Sequence, residues 1–278
     1  MLTHAHRFCP SHLLPYFPSP HFTPDQTITP ELILIHYTAG ASATSSAEWC
    51  ANPSSRVSYH LIIDRDGSII QLVPFNRRAW HAGNSIFAGR ADCNSYSIGI
   101  ALSNYGFLFR TPDGRLRTSD RPGAPALIPD PPVFCAFHKH TSAPSPSSPS
   151  LWEAFTVKQI FSLRLVISAL VSYYYIKAIA GHDDVSPGRK IDPGPAFPPL
   201  PLLIPSDSAH VLLKPSLAFP YLNLSCRTAP FFFCAHCALS FNPDALDDYP
   251  ETPQCTSHLD YPGPQYCPLC GSALSFFS

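Results

Sequence analysis

Charge is in short supply. Lys, Arg, Asp and Glu make up 13% of the 278 residues, against about 25% in a typical soluble domain. The 18 basic and 19 acidic side chains leave a formal charge of −1. Such a chain has no electrostatic footprint for nucleic acid or an anionic membrane, and neither is expected as a partner. Long apolar runs are missing too. The most apolar stretch, 160–176, is interrupted by Arg164 and several serines and falls short of the ~20 residues of a membrane span. Residues 1–11 lack an apolar core behind a basic start, so no secretory signal is read there and a cytoplasmic protein is expected, with release by another route left open. Proline, by contrast, is abundant: 33 residues where an average near 5% is usual. That excess argues against a mostly helical architecture and for long connections.

Residues 1–30 are proline-rich and aperiodic and read as an extended lead-in, the first 14 as flexible. Leu32-Ile33-Leu34-Ile35 is a continuous apolar run, the mark of a strand buried on both faces. A turn-like Ala/Gly/Ser/Thr stretch follows, with 47–50 helical. Residues 57–63 and 68–73 are predicted as a hairpin closed by Asp64-Arg65-Asp66-Gly67, and 97–102 as a further strand. Residues 106–150, rich in Pro, Ser, Gly and Thr, read as a surface insertion. Spacing near 3.6 residues predicts the longest helix over 152–180, ended at Gly181. The order strand, helix, hairpin, strand, long helix predicts an α/β fold with a mixed central β-sheet flanked by helices.

Three stretches carry chemistry: Ile33-Leu34-Ile35-His36-Tyr37-Thr38, Arg78-Ala79-Trp80-His81-Ala82-Gly83, and the loop from Gly181-His182-Asp183-Asp184 to Arg189-Lys190-Ile191-Asp192-Pro193-Gly194. A catalytic zinc takes three protein ligands and keeps one position open to water. His36, His182 and Asp192 supply two nitrogens and one carboxylate oxygen if the 182–192 loop folds back. A histidine at a strand end is more often a hydrogen-bonded core residue, and spacing alone does not choose between the two.

These stretches resemble the zinc-dependent N-acetylmuramoyl-L-alanine amidases of the type 2 amidase and peptidoglycan recognition protein family, above all its AmpD type. The likeness runs in order through Ser19-Pro20-His21-Phe22, the strand of His36, 57–83, Gly89-Arg90-Ala91-Asp92-Cys93-Asn94 to Ile100, and 181–197. The resemblance implies hydrolysis of the amide between the lactyl group of N-acetylmuramic acid and L-alanine in peptidoglycan or muropeptides. It implies one catalytic zinc on His36, His182 and Asp192, Lys190 as the residue that steadies the oxyanion, and Tyr59 as the tyrosine beside the metal. One departure stands out: Ser97-Ile98-Gly99-Ile100 is followed by Ala101, where AmpD-like members carry a glutamate taken as general base. Phage members of the family lack it too. A non-catalytic peptidoglycan- or muropeptide-binding protein, and a phage-type lytic amidase acting on polymeric wall, therefore stay open beside a recycling enzyme.

Arg78, Trp80 and His81 read as lining of a groove for a sugar-peptide, and Asp183 and Asp184 as acceptors behind the metal histidine or as a solvated pair. Of ten cysteines, four stand as Cys234-x2-Cys237 and Cys267-x2-Cys270, a spacing that closes a structural zinc site of four thiolates. The other six are scattered, which fits a reducing compartment. The expected divisions are 1–14, an amidase domain over 15–200 containing the 106–150 insertion, a proline-rich linker over 201–224 and a small C-terminal zinc ribbon over 225–278 whose partner is open.

Overall fold

In a computed structural model, which describes residues 5–8, 15–121, 124–127, 129–140 and 150–198 and the backbone of short strands beyond them, the chain enters through β1 (Phe22–Thr27) and turns into β2 (Leu32–Tyr37). The first five residues of β2 are all buried, as its unbroken apolar run requires. Helix α1 (Ala43–Ala51) starts at Ser42, whose hydroxyl caps the Ser45 amide. A hairpin of β3 (Leu61–Ile63) and β4 (Ile69–Gln71) follows, then β5 (Arg77–Ala79), which pairs back on β1, and a small hairpin of β6 (Ile86–Phe87) and β7 (Arg90–Ala91). Strand β8 (Ser97–Leu102) is buried along its whole length. Next come β9 (Phe107–Arg110), β10 (Leu116–Arg117), β11 (Val133–Ala136) and β12 (Ser150–Glu153), then α2 (Val157–Tyr173), β13 (Ala178–Gly181), the short α3 (His182–Val185) and β14 (Leu212–Leu213).

The central sheet has six strands in the order β14-β13-β2-β8-β3-β4. All are parallel except β4, which closes the hairpin with β3. A parallel sheet must be covered on both faces, and this one is. On one face Leu163, Ile167 and Leu170 of α2 pack on Ile33, Ile35, Ile98 and Ile100; on the other, Ala43 and Ala47 of α1 pack with Ile62 and Ala101. Two-residue alternation places His36 on the face of Leu32 and Leu34, at the carboxyl end of β2. Register does the rest. Gly181 pairs with Ile35, so His36 and His182 leave neighbouring strand ends side by side.

The mixed sheet with flanking helices is as expected, but several elements differ. The long helix covers only 157–173: Thr156 and Gln159 form a capping box that sets its start, Trp152 and Glu153 belong to β12, and 178–181 is a strand of the central sheet. The insertion builds a second antiparallel sheet in the order β10-β9-β12-β11, with Trp152 only 1% exposed. It is tied to the central hairpin by a double contact from Arg65 to Glu153, at 2.7 and 2.8 Å. Of the expected hairpin the ladder covers 61–63 and 69–71, and the His60 carbonyl also accepts the Leu72 amide; the buried Ser58 and His60 donate their own amides to the carbonyls of Trp80 and Gly99. Residues 5–8, read as flexible, are docked: the Phe8 amide donates to Gln71 Oε1 (2.9 Å), and its ring meets Phe75 edge-on.

In the tail, β15 (Phe231–Cys234), β16 (Leu239–Phe241) and β17 (Ser275–Phe277) form an antiparallel sheet in the order β16-β15-β17. Cys234 ends β15. Cys237, Cys267 and Cys270 lie outside the described residues, and so does the four-cysteine zinc site expected there. Among the described residues no helix is long and apolar enough to cross a membrane.

Candidate metal centre

The loop after β13 folds back because its backbone is hydrogen-bonded to itself: the Asp183 amide donates to the Asp192 carbonyl (2.8 Å), and the Lys190 and Arg189 amides to the Ser186 carbonyl. Arg189 then pins the loop to its neighbour, donating to the carbonyls of Ala82 (2.6 Å) and Asn84 (2.9 Å) and to Ser186 Oγ (2.7 Å). The result brings three atoms together. His36 Nδ1, His182 Nδ1 and Asp192 Oδ2 form a triangle with sides of 2.9, 3.0 and 3.0 Å. All three residues are buried.

These atoms suit a cation. Bonds of about 2.0–2.2 Å to imidazole nitrogen and carboxylate oxygen in tetrahedral geometry need ligand atoms a little over 3 Å apart, which is close to this triangle. The tautomers fit as well. His182 Nε2 donates to the Ala82 carbonyl at 3.0 Å, which leaves the Nδ1 lone pair facing the triangle. His36 Nε2 lies 3.2 Å from His81 Nδ1, and donation there likewise leaves His36 Nδ1 as a ligand. Two imidazoles and a carboxylate, without sulfur, are the donor set of a hydrolytic zinc site.

Burial and mutual repulsion keep His36, His60 and His81 neutral. Desolvation foremost, and then the closeness of a second imidazole, pushes His36 down to about 4; burial also takes His60 down to about 4 and His81 well below its ordinary value. In the metal-free site the ring protons can sit on Nδ1 instead: burial alone would raise Asp192, but hydrogen bonds from His182 and His36 in that tautomer hold its carboxyl well below the usual carboxylate range. A stability prediction follows for the metal-free protein. The unfolded histidines take up protons below about 6.5 and the folded ones do not until about 4. Stability is therefore full above pH 6.5 and falls as pH drops towards 4, by about 3 kcal/mol from His60 alone. Thermal unfolding of chelator-treated protein at pH 7 and pH 5 checks this; equal midpoints would contradict it.

The remaining residues singled out by sequence divide. Tyr59 lies against the triangle, its ring centroid 5.2 Å from that of His36. Burial and the Asp192 carboxylate raise its hydroxyl far above the ordinary range, so it stays protonated. Lys190 is half-buried on the loop, and its positive charge contributes to the lowering of His36. Ala101 sits opposite His36 in the parallel register and is fully buried, so nothing at this position can accept a proton. His81 turns inward rather than into a groove: it is 6% exposed, it lies against Gly99, and it holds the far side of His36. Asn94 Oδ1 fixes it by accepting the amides of His81 (3.1 Å) and Ala82 (2.8 Å), a contact that sequence alone did not reveal. Arg78 and Trp80 both reach Thr23 Oγ1 at 3.3 Å, and Arg78 pairs with Asp92 at 2.7 Å; among the described residues neither makes a hydrogen bond or ring contact with the triangle.

The profile of a family described as N-acetylmuramoyl-L-alanine amidase matches residues 26–195. The chain is 32% identical over 201 residues to the 1,6-anhydro-N-acetylmuramyl-L-alanine amidase AmpD of Escherichia coli (strain K12), an alignment covering 65% of this chain and 85% of that one. It is 28% identical over 177 residues to the N-acetylmuramoyl-L-alanine amidase AmiD of the same organism, covering 60% and 50% respectively. A solved structure of a selenomethionine derivative of AmpD aligns at 28% identity over 71% of this chain and 94% of that chain, with a TM-score of 0.44.

Proposed function

Because this chain belongs to the N-acetylmuramoyl-L-alanine amidase family, we propose that it is a zinc hydrolase that cleaves the amide between the lactyl group of N-acetylmuramic acid and L-alanine in muropeptides. The observation that carries this reading is the triangle of His36 Nδ1, His182 Nδ1 and Asp192 Oδ2. Bound there, zinc would lower the pKa of a water to about 7 and polarise the scissile carbonyl. Lys190 brings an ammonium to the place where negative charge develops on the carbonyl oxygen. Tyr59, kept protonated by burial and by Asp192, acts as a hydrogen-bond donor beside that oxygen and not as a base. His81 acts through His36, whose Nε2 it holds. We assign Arg78 and Trp80 to the wall of the substrate groove, and a second, structural zinc to Cys234, Cys237, Cys267 and Cys270 on the strength of their spacing.

The His81 role has its own test. A Cβ at Gly99 would lie 2.5 Å from the His81 ring, so Gly99→Ala displaces the ring that steadies His36. Loss of such a supporting partner typically weakens metal binding by about 10–100-fold. Competition with a chromophoric chelator measures it; wild-type affinity in Gly99→Ala would remove His81 from the site.

A second reading, binding without turnover, is favoured by Ala101. Incubating zinc-loaded protein with anhydromuramoyl-peptide separates the two. Free peptide in the mass spectrum supports the hydrolase, whereas bound but intact ligand supports the binder. Clearing of intact sacculi in a parallel sample would place the substrate in polymeric wall rather than soluble fragments.

A further inference from the structure

The second sheet reaches across to the loop that carries His182 and Asp192 and grips it at both ends. His138 Nδ1 accepts the His140 amide at 3.1 Å, so the ring proton sits on Nε2. That N–H lies 3.1 Å from Asp183 Oδ2 and 3.1 Å from the Ile191 carbonyl. One side chain thus joins the residue after the first loop ligand to the residue before the second. Lys139 Nζ stands 2.8 Å from Asp183 Oδ1 and 2.8 Å from Asp184 Oδ1, while the other Asp184 oxygen accepts the Gly181 amide at 2.8 Å. His140 Nε2 adds a bond to the Asp183 carbonyl at 2.9 Å. None of this is solvated pairing: the side chains of His138, Lys139, Asp183 and Asp184 are 1, 8, 3 and 1% exposed. Trp152 completes the grip, its ring stacked on His138 at 5.6 Å and lying where a Cβ on Gly194 would be 2.9 Å away.

We propose that His138 is a positioning residue for the metal site, and that Lys139 secures the same loop, so that the insertion and the metal stabilise one another. The proposal rests on the zinc reading above. Its physical basis is that a side-chain bond tying Asp183 to Ile191, beside the backbone bond from the Asp183 amide to the Asp192 carbonyl, further restricts the separation of His182 and Asp192. Coupling of this kind is reciprocal. If the insertion helps to hold the metal, metal must help to hold the insertion.

Lys139 is the poorer handle, because replacing it removes a positive charge beside a cation site and so strengthens attraction while weakening geometry. His138→Phe separates the two effects. It removes the Nε2 donor, keeps an aromatic ring on Trp152, and leaves the charge of this neutral histidine unchanged. In the full-length chain, zinc at the triangle is read as the zinc that Asp192→Ala fails to hold. His138→Phe is expected to bind it about 10–100-fold more weakly, and His138→Gln, whose amide N–H can donate in the same direction, to recover much of that loss. Hydrogen exchange gives the reciprocal reading: zinc slows exchange of amides 133–140 in wild type but not in His138→Phe. Wild-type zinc affinity in a folded His138→Phe overturns the proposal, as does exchange in 133–140 that is blind to zinc. Should His138→Phe fail to fold, the exchange of the wild-type chain decides by itself. If the wild type holds no zinc beyond that of Asp192→Ala, the metal reading fails and takes this proposal with it.

Discussion

Asp192→Ala is expected to lose the zinc held by the triangle and at least about 10³-fold in turnover. The carboxylate is the only anionic ligand in the set, and its Oδ2 lies 2.9 and 3.0 Å from the two histidine nitrogens. Without it, two neutral imidazoles in a desolvated pocket must hold a dication with no charge of opposite sign. Polarising a carbonyl and activating water are together worth several kcal/mol, and about 4 kcal/mol corresponds to a thousandfold in rate. On the proposal that the tail cysteines hold a second zinc, total zinc should fall by one per chain rather than to zero. Unchanged metal content, measured by elemental analysis against protein concentration, would contradict the ligand assignment even if activity were lost.

Lys190→Ala tests a different part of the site. Its backbone amide is fixed on the Ser186 carbonyl at 3.0 Å, and its charge is felt at His36, yet among the described residues its ammonium forms no salt bridge. In the role proposed for it, this cation meets charge that appears only during reaction. Removing one donor of this sort typically costs about 10²–10³ in kcat. The substitution should leave zinc content and KM nearly unchanged, because in the proposed role the ammonium neither ligates metal nor acts before charge develops. Steady-state kinetics beside metal analysis measures both, and full activity in Lys190→Ala would remove its role. With Ala101 unable to accept a proton, a large Lys190 effect would also show that the site works without a carboxylate at that strand position.

Much of this was legible in the sequence, for reasons that lie in the strands. Leu32 to Ile35 is apolar without interruption because β2 is covered on both faces, and alternation then dictates where His36 points. The convergence of His36 and His182 came from resemblance, and its physical cause, the Gly181–Ile35 register, is a pairing across 146 residues that no local pattern encodes. Periodicity misplaced the helix ends because apolar residues in a short buried strand, such as Trp152 or Ile179, satisfy a 3.6-residue template by coincidence. The insertion reads as loop because its strands are short and interrupted by Pro and Ser, and because their partners are distant: Leu108 pairs with Leu151. His81 could not be separated from Trp80 by type alone; its inward turn depends on the space left by Gly99. His138-Lys139-His140 carried a faint signal, a cluster of cationic side-chain types in a chain poor in charge, but its meaning appears only with Asp183 and Asp184 beside it.

Two histidines and one aspartate, brought together by strand register and a pinned loop, are expected to hold a single zinc. Anomalous diffraction at the zinc absorption edge from crystals of the zinc-loaded chain tests it most directly. A peak is expected about 2.0–2.2 Å from His36 Nδ1, His182 Nδ1 and Asp192 Oδ2. A fully loaded crystal with zinc elsewhere and none at these three atoms would contradict it.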